Sequence, residues 1–232
     1  PYLRFHGKSS GTFEIDCIYM TNTVPDGYMV DEVQEVEDAI TALPAETSFT
    51  PGNQAAFMQV YRSYQALTAD EQAQVTNYAK LSALAAKQQS YGPQALGATI
   101  RSSGTQGLRF GAEFDITAAV GSGYTVKEYG TLLLAASKWD GSDITAATTG
   151  VVKRSNSYVS ESGSTLQFSV TVVNYQPDQY DLDVVARSYV VYENTTTGET
   201  ETVYEYATEM SDDYMVCNIR EIANYFSVTL PQ

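Results

Sequence analysis

The spacing of the hydrophobic residues changes near position 93, and this change limits the possible folds more than any other feature of the chain. Between 31 and 90 the apolar residues recur every three or four positions, which places them on one face of an α-helix. From about Leu96 onward they alternate with polar residues, as in a half-buried β-strand. The chain is therefore predicted to be an α+β protein of more than one domain, with most of its helices before most of its strands.

Three amphipathic helices are predicted within 31–92. Asp31 can cap the first helix, and Thr50 followed by Pro51 is a typical start for the second. Thr68 and Glu71 have the spacing of a capping box that opens the third. Because the links between the helices are short, we expect an antiparallel three-helix bundle. The apolar residues expected inside it are Val33, Val36, Ile40, Leu43, Phe57, Val60, Tyr61, Tyr64, Leu67, Val75, Tyr78, Leu81 and Ala85.

The segment 93–232 is predicted to form an antiparallel β-sandwich with a C-terminal helix. Its strand signals are separated by bends rich in Gly, Ser, Asn and Asp, which is typical of immunoglobulin-like or fibronectin-like sandwiches. Ser211 is expected to cap the last helix, whose apolar stripe would include Met215 and Ile219. The strand signals lie at 108–116, 131–136, 166–172, 182–190 and 201–207, with the turn 195–198 before the last of them.

The first 30 residues alternate like β-strands and are predicted to form a hairpin. A hairpin needs a partner sheet, so it either belongs to an upstream module or joins the C-terminal sheet. The chain begins at Pro1 without a signal-like stretch, and we expect it to be a processed part of a longer protein. The predicted division is 1–30, 31–92 and 93–232.

The charge balance argues against two classes of partner. The chain has 28 acidic and 13 basic residues, a net charge of −15, and a pI near 4.3. Nucleic acids and anionic membranes both require clustered Lys and Arg, which are scattered here. The sequence also has no apolar run of about 18 residues, so no membrane insertion is expected.

The residues that usually carry catalysis are scarce. The chain has one histidine, His6, and two cysteines, Cys17 and Cys217, too few for a typical zinc site. The cysteines are either free thiols or one long-range disulfide. No nucleophile-elbow or phosphate-binding motif occurs. We therefore expect no cofactor and no enzymatic activity, with a hydrolase that uses two carboxylates as the alternative.

Three acidic residues form the strongest candidate metal site. Asp178, Asp181 and Asp183 lie close together in sequence and could supply oxygen ligands to a structural calcium ion. They do not match a known calcium-binding loop, so an acidic, solvated strand edge is the other interpretation.

Aromatic residues suggest a different kind of site. The chain contains 18 Tyr, 8 Phe and one Trp, and sugar rings stack on such side chains while carboxylates accept hydrogen bonds from their hydroxyls. Trp139 lies beside a predicted turn at the end of an apolar strand. It is either an exposed stacking platform or a residue of the core. The residues predicted to bind a ligand are Trp139, Asp140, Asp143, Tyr158 and Tyr175.

Six stretches of the sequence resemble parts of modules that recur in large secreted and cell-wall proteins of anaerobic Gram-positive bacteria. The segment 36–44 followed by 61–68 is similar to small three-helix spacer modules, and 12–19 looks like the closing strand of a carbohydrate-binding sandwich. The segments 107–110, 128–131 and 186–192 resemble a β-rich module that often follows such helices. The resemblance implies an extracellular protein, either secreted or attached to the cell wall, that is modular and non-catalytic and takes part in polysaccharide handling or adhesion.

Two functions therefore compete. The first is a rigid spacer that also contacts a surface protein, and the second is a carbohydrate-binding module that stacks aromatic rings on polysaccharide. Exposure of the aromatic side chains distinguishes them.

Overall fold

A computed structural model describes residues 31–155, 158–205 and 214–231, without the side chains of 153–155 and 158. These residues form five α-helices and nine β-strands, so the α+β class is confirmed. The predicted hairpin of 1–30, with Cys17 and His6, lies outside the described residues, as do Ser211 and residues 206–213 around it.

Four of the helices precede the strands. They are α1 (Glu32–Ala42), α2 (Gln54–Ala66), α3 (Ala69–Gln72) and α4 (Tyr78–Tyr91), and α5 (Ile219–Tyr225) follows the strands. Two of the predicted caps are confirmed: the Asp31 carboxylate accepts a hydrogen bond from the Gln34 backbone, and Thr68 and Glu71 cap each other. The predicted start at Thr50 and Pro51 opens a short 3₁₀ turn instead, and α2 itself begins at Gln54. No helix in the described part of the chain is long and apolar enough to cross a membrane.

The predicted third helix is interrupted. It consists of the single turn α3 and the longer α4, with a link between them at 73–77. The Glu37 carboxylate on α1 accepts hydrogen bonds from the backbone and hydroxyl of Thr76, each at 2.6 Å, and the Glu37 carbonyl accepts one from the Asn77 amide at 2.8 Å. These bonds hold the link against α1 and take the place of continued helix.

The strands form two antiparallel sheets. Sheet one has four strands in the order β1-β2-β6-β5, and sheet two has the order β4-β3-β7-β8, with the short β9 also paired to β7. The strand predictions at 108–116, 131–136, 166–172 and 182–190 are confirmed, and β8 covers the first part of the predicted 201–207. The strands are β1 (Gln94–Arg101), β2 (Gly107–Asp115), β3 (Tyr124–Ala135), β4 (Val152–Ser155), β5 (Tyr158–Ser162), β6 (Thr165–Val173), β7 (Val184–Asn194), β8 (Thr200–Tyr204) and β9 (Met215–Cys217).

The prediction for the last helix is wrong in its position. Met215 belongs to β9, which pairs with the start of β7, and the helix begins only at Ile219. Its cap is Asn218, whose side-chain oxygen accepts a hydrogen bond from the Glu221 backbone at 2.9 Å. Pairing along β7 satisfies the backbone of 215–217, and a helix starting at Ser211 would forgo that pairing.

The helices share a hydrophobic core with the sheets. One cluster of buried residues contains Ile40 of α1, Phe57 of α2 and Leu84 of α4 together with Phe168 of β6 and Tyr192 of β7. The structure therefore does not show a separate three-helix bundle, because the apolar faces of these helices pack on strands as well as on each other. A second cluster, at the C-terminal end, places α5 against both sheets.

Sheet two is buried on both faces. Its inner face contacts sheet one, where the Tyr129 ring lies 5.4 Å from Phe114 and 5.2 Å from Phe168. Its outer face carries Leu132 and Val185, which are covered by Ile144 of the 139–151 loop and by other residues of a third cluster. This loop determines the surroundings of the residues predicted to bind a ligand.

Candidate functional site

Trp139 packs into the third cluster on the outer face of sheet two. Its ring meets the edge of the Tyr214 ring, with 5.2 Å between the centroids, and its indole nitrogen donates a hydrogen bond to the Ser142 carbonyl at 2.8 Å. The side chain is half-buried. Of the two interpretations that the sequence allowed, these contacts favour a packing residue over an exposed stacking platform.

The two aspartates that follow Trp139 have different surroundings. Asp140 is exposed and accepts hydrogen bonds from the hydroxyl and backbone of Ser142, which together lower the pKa of its carboxyl group. Asp143 is half-buried, forms an ion pair with Arg62 of α2, and accepts a hydrogen bond from the Tyr214 hydroxyl at 3.1 Å. Asp140 therefore stabilises its own turn, whereas Asp143 links the loop to a helix.

The two predicted tyrosines do not join this group. The Tyr158 side chain lies outside the described residues. Tyr175 packs against the C-terminal cluster instead, where burial of its hydroxyl raises the pKa to about 12. The structure thus brings together Trp139, Asp140 and Asp143 and leaves Tyr175 in another region.

The acidic residues proposed for calcium have separate partners. Asp178 is exposed, Asp181 binds Arg220 through both carboxylate oxygens, and Asp183 accepts a hydrogen bond from the Asn218 amide at 2.8 Å. Within the described ranges, no three residues among His, Cys, Asp and Glu are grouped so that they could hold a metal ion. These contacts do not support the calcium interpretation.

The second cysteine is a free, buried thiol. Cys217 lies in the C-terminal cluster, and burial raises the pKa of its thiol to about 11. For Cys217 the structure therefore agrees with the free-thiol interpretation, and its thiol holds its proton at neutral pH.

A cleft of about 570 Å³ lies between α2 and the outer side of sheet two. One wall is helical and carries Gln59 and Arg62, and the opposite wall is formed by Asp143, Arg187 and Tyr204. This volume is within the usual range for small-molecule sites. Of the predicted ligand-binding residues whose side chains are described, only Asp143 lines the cleft.

Arg187 is the least expected residue of this cleft. It lies on β7 opposite Leu132 and is only 3% exposed, yet it reaches the cleft wall. Its guanidinium carbon lies 4.7 Å from the centre of the Tyr204 ring and 5.2 Å from that of Tyr214. The cation is thus held near two aromatic rings, an arrangement that partly replaces lost hydration.

Two of the three guanidinium nitrogens of Arg187 donate hydrogen bonds to backbone carbonyl oxygens. Nε donates to the Glu205 carbonyl at 3.0 Å, and Nη1 donates to the Ile144 carbonyl at 2.8 Å. Nη2 makes no hydrogen bond to any residue that the structure describes. The site therefore offers a positioned cationic donor, together with the Gln59 amide and the Arg62–Asp143 pair, and this arrangement is suited to binding a polar ligand.

The sequence contains one signal for this site. Arg187 is the one charged residue in the stretch 184–192, which otherwise reads as a buried central strand. A charge in such a strand must find compensation inside the protein, which makes it a candidate functional residue. No pattern in the sequence indicated that Tyr204, Tyr214 and Arg62 would surround it.

Comparison with known proteins does not extend this picture. No protein-family model matches the chain, and no curated protein sequence or solved structure is significantly similar to it.

Proposed function

We propose that this chain is a non-catalytic extracellular module of a larger bacterial surface or secreted protein, in which it acts as a rigid spacer and contacts a surface protein. The observation that carries the proposal is the hydrophobic cluster that the helices share with both sheets. We further propose that the two sheets are a sandwich of the immunoglobulin-like or fibronectin-like kind, with the helical segment packed at one end.

Buried polar contacts reinforce this shared cluster. The Tyr192 hydroxyl on β7 donates to the Tyr91 carbonyl at the end of α4, and the Tyr91 hydroxyl donates to the Phe49 carbonyl, each at 2.7 Å. The Gln54 amide on α2 donates to the Thr202 carbonyl of β8 at 2.7 Å. Separating helices from strands would expose apolar surface and break the Tyr192–Tyr91 and Gln54–Thr202 hydrogen bonds, so relative motion is costly. A stiff unit of this kind keeps its two ends at a constant distance.

Backbone ¹⁵N relaxation in solution tests the rigid-spacer proposal. We expect the amides of α1, α2 and α4 to report the same overall tumbling time as those of β3 and β7. Faster, separate tumbling of the helices would contradict the proposal. Tyr192→Ala should weaken the coupling, and Tyr225→Ala on the exposed face of α5, where the side chain is 82% exposed, is the matched control. Detection of the chain on the surface of, or outside, the producing cells tests its location.

Saccharide binding is the second candidate, and the cleft beside α2 favours it over the Trp139 platform. The cleft is lined by Gln59, Thr145 and Tyr204 together with charged residues. Amide, hydroxyl and charged groups hydrogen-bond to sugar hydroxyls, and aromatic rings stack on the faces of sugar rings. Titration with a panel of neutral and acidic oligosaccharides, followed by amide chemical shifts, tests it. Shifts confined to the cleft support the assignment, and a panel without any shifts contradicts it.

A further inference from the structure

The geometry points to a carboxylate-binding subsite at Arg187, and we propose that the cleft beside α2 takes an acidic sugar whose carboxylate pairs with this guanidinium. The inference rests on the second candidate function and makes it more specific. It concerns the chemical class of the ligand, a hexuronate, and it assigns the residue that recognises the acidic group.

The first argument is the state of the Arg187 charge. A buried cation is costly unless it is paired, and most buried arginines have a carboxylate partner. Arg187 instead has two carbonyl acceptors and two tyrosine rings, and it forms no ion pair with a described residue. These contacts hold the guanidinium in one orientation, and a ligand carboxylate would supply the missing charge.

The second argument is the local charge of the cleft. Among the described residues, the charged side chains that line it are Arg62, Arg187 and Asp143, which sum to one positive charge, whereas the whole chain carries −15. Glu205 is not among the residues that line the cleft, and its Oε2 accepts a hydrogen bond from the Ser188 backbone at 2.8 Å. The cleft is thus a small cationic region on an acidic protein, and an anion would be attracted to it.

The third argument concerns the rest of the ligand. Gln59 and Thr145, whose side chains carry an amide and a hydroxyl, line the same cleft, and the volume of about 570 Å³ accommodates one or two sugar rings. A peptide carboxylate would satisfy Arg187 but would bring few hydroxyls for the other polar groups. An acidic sugar satisfies both requirements.

The experiment compares four probes on the complete chain by ¹⁵N chemical-shift titration. They are sodium glucuronate, the methyl ester of glucuronic acid, glucose, and N-acetylglycylglycine as a peptide carboxylate. We expect glucuronate to bind about tenfold more tightly than the ester or glucose, since only it offers a charged partner. We also expect glucuronate to shift the Arg187 Nε–H resonance, which gives a direct readout at the proposed contact.

Two arginine variants provide the matched comparison. Arg187→Lys keeps the charge but loses the planar donor geometry, and we expect it to weaken glucuronate binding about tenfold. Arg220→Gln removes another arginine that lies near a tyrosine ring, Tyr180, outside the cleft, and it should leave binding unchanged. Circular dichroism checks that each variant is folded.

A third variant keeps the proposal falsifiable if Arg187→Lys does not fold. Asp143→Asn removes the one carboxylate among the described residues that line the cleft and frees Arg62, so glucuronate should bind about threefold more tightly. Weaker or unchanged binding would contradict the proposed role of local charge.

The other outcomes distinguish failure of the carboxylate subsite from failure of the saccharide function. Equal binding of glucuronate and glucose would overturn the carboxylate subsite and leave the saccharide function intact. If no sugar binds, both are overturned. Equal or tighter binding of N-acetylglycylglycine would overturn the assignment to saccharides and indicate a peptide ligand.

Discussion

Two arginines of this protein lie over tyrosine rings, but their surroundings are opposite. Arg187 is buried on a central strand, lies between Tyr204 and Tyr214, and donates to carbonyl oxygens. Arg220 is exposed on α5, lies 5.6 Å from the centre of the Tyr180 ring, and is paired with Asp181. The same side-chain contact is therefore part of a stabilising core in one region and a solvated surface in the other.

The groups that pair with an arginine therefore indicate its role better than the aromatic ring beside it does. The Asp181 carboxylate raises the pKa of the Arg220 guanidinium and neutralises its charge. At the surface, water also solvates and screens this charge, so the pair contributes little to stability. Arg187 has no such partner within the described residues, so its buried charge depends on backbone carbonyls and ring faces. This difference makes Arg187, and not Arg220, the candidate anchor for a ligand.

The largest expected difference between the regions is in stability. Arg187→Met leaves the Glu205 and Ile144 carbonyls without their donors inside the protein, and we expect a loss of about 2–4 kcal/mol in the free energy of unfolding. Arg220→Met should change it little, because the side chain is exposed. Urea unfolding of both variants measures the difference. Similar losses in the two variants would contradict the conclusion that Arg187 stabilises the core more than Arg220 stabilises the surface.

The tyrosine hydroxyls should show a smaller difference. Tyr214→Phe removes a group that accepts from the Ile144 backbone and donates to Asp143, and we expect a loss of about 1–2 kcal/mol. Tyr180→Phe removes a single bond to the Pro231 carbonyl near the end of the chain and should cost less. Thermal unfolding ranks the two variants, and a larger loss for Tyr180→Phe would reverse the expected order.

Alkaline pH should affect the C-terminal region first. Burial raises the pKa of Cys217 from 9.0 to about 11, so the folded thiol holds its proton more tightly than the unfolded one. The contribution of the protonated thiol to the free energy of unfolding is therefore fully present below about pH 9. It is lost as the pH rises toward about 11, on the order of 1 kcal/mol for this group. Near Arg187, the Tyr214 pKa rises from 10.0 to about 12, and the corresponding loss begins at higher pH.

Urea midpoints measured between about pH 8 and pH 11 test this order, with Cys217→Ala as the control. The decrease above pH 9 should be smaller in that variant. An unchanged decrease would show that another group is responsible.

The smallest expected effect concerns the ion pair across the cleft. Arg62 and Asp143 are both partly exposed, so Asp143→Asn should lower the free energy of unfolding by less than about 1 kcal/mol. The loss should shrink as salt is added, since salt screens the pair. A large loss that does not depend on salt would mean that the Tyr214–Asp143 hydrogen bond dominates.

Local patterns predicted the elements well where the relevant contacts are close in sequence. The capping box at Thr68 and Glu71 and the alternation along β2 and β6 depend on neighbours a few residues apart. The link after α3 was missed because Glu37, which holds it, lies on another helix. The start of α5 was missed because β9 forms only by pairing with β7.

The candidate site was predictable only in part. Asp143 is predicted from sequence as an acceptor for sugar hydroxyls near Trp139, and it does line the cleft. Trp139 is predicted as a stacking ring because it lies beside a turn, but its ring packs against Tyr214, a contact between residues far apart in sequence. Whether such a side chain is buried or exposed depends on which segments cover the neighbouring strand. The spacing of hydrophobic residues along the sequence does not contain that information.

The sequence alone determined the classes of element, most of their positions and the acidic character of the chain, because periodicity, capping and charge are properties of neighbouring residues or of composition. The tertiary structure decided that helices and sheets share a core and that Arg187 meets two tyrosines, Tyr204 and Tyr214, at a cleft. These features depend on the register between β7 and β8 and on the path of the 139–151 loop. Such long-range pairings are selected by the burial of the whole molecule and are not encoded in any short stretch of it.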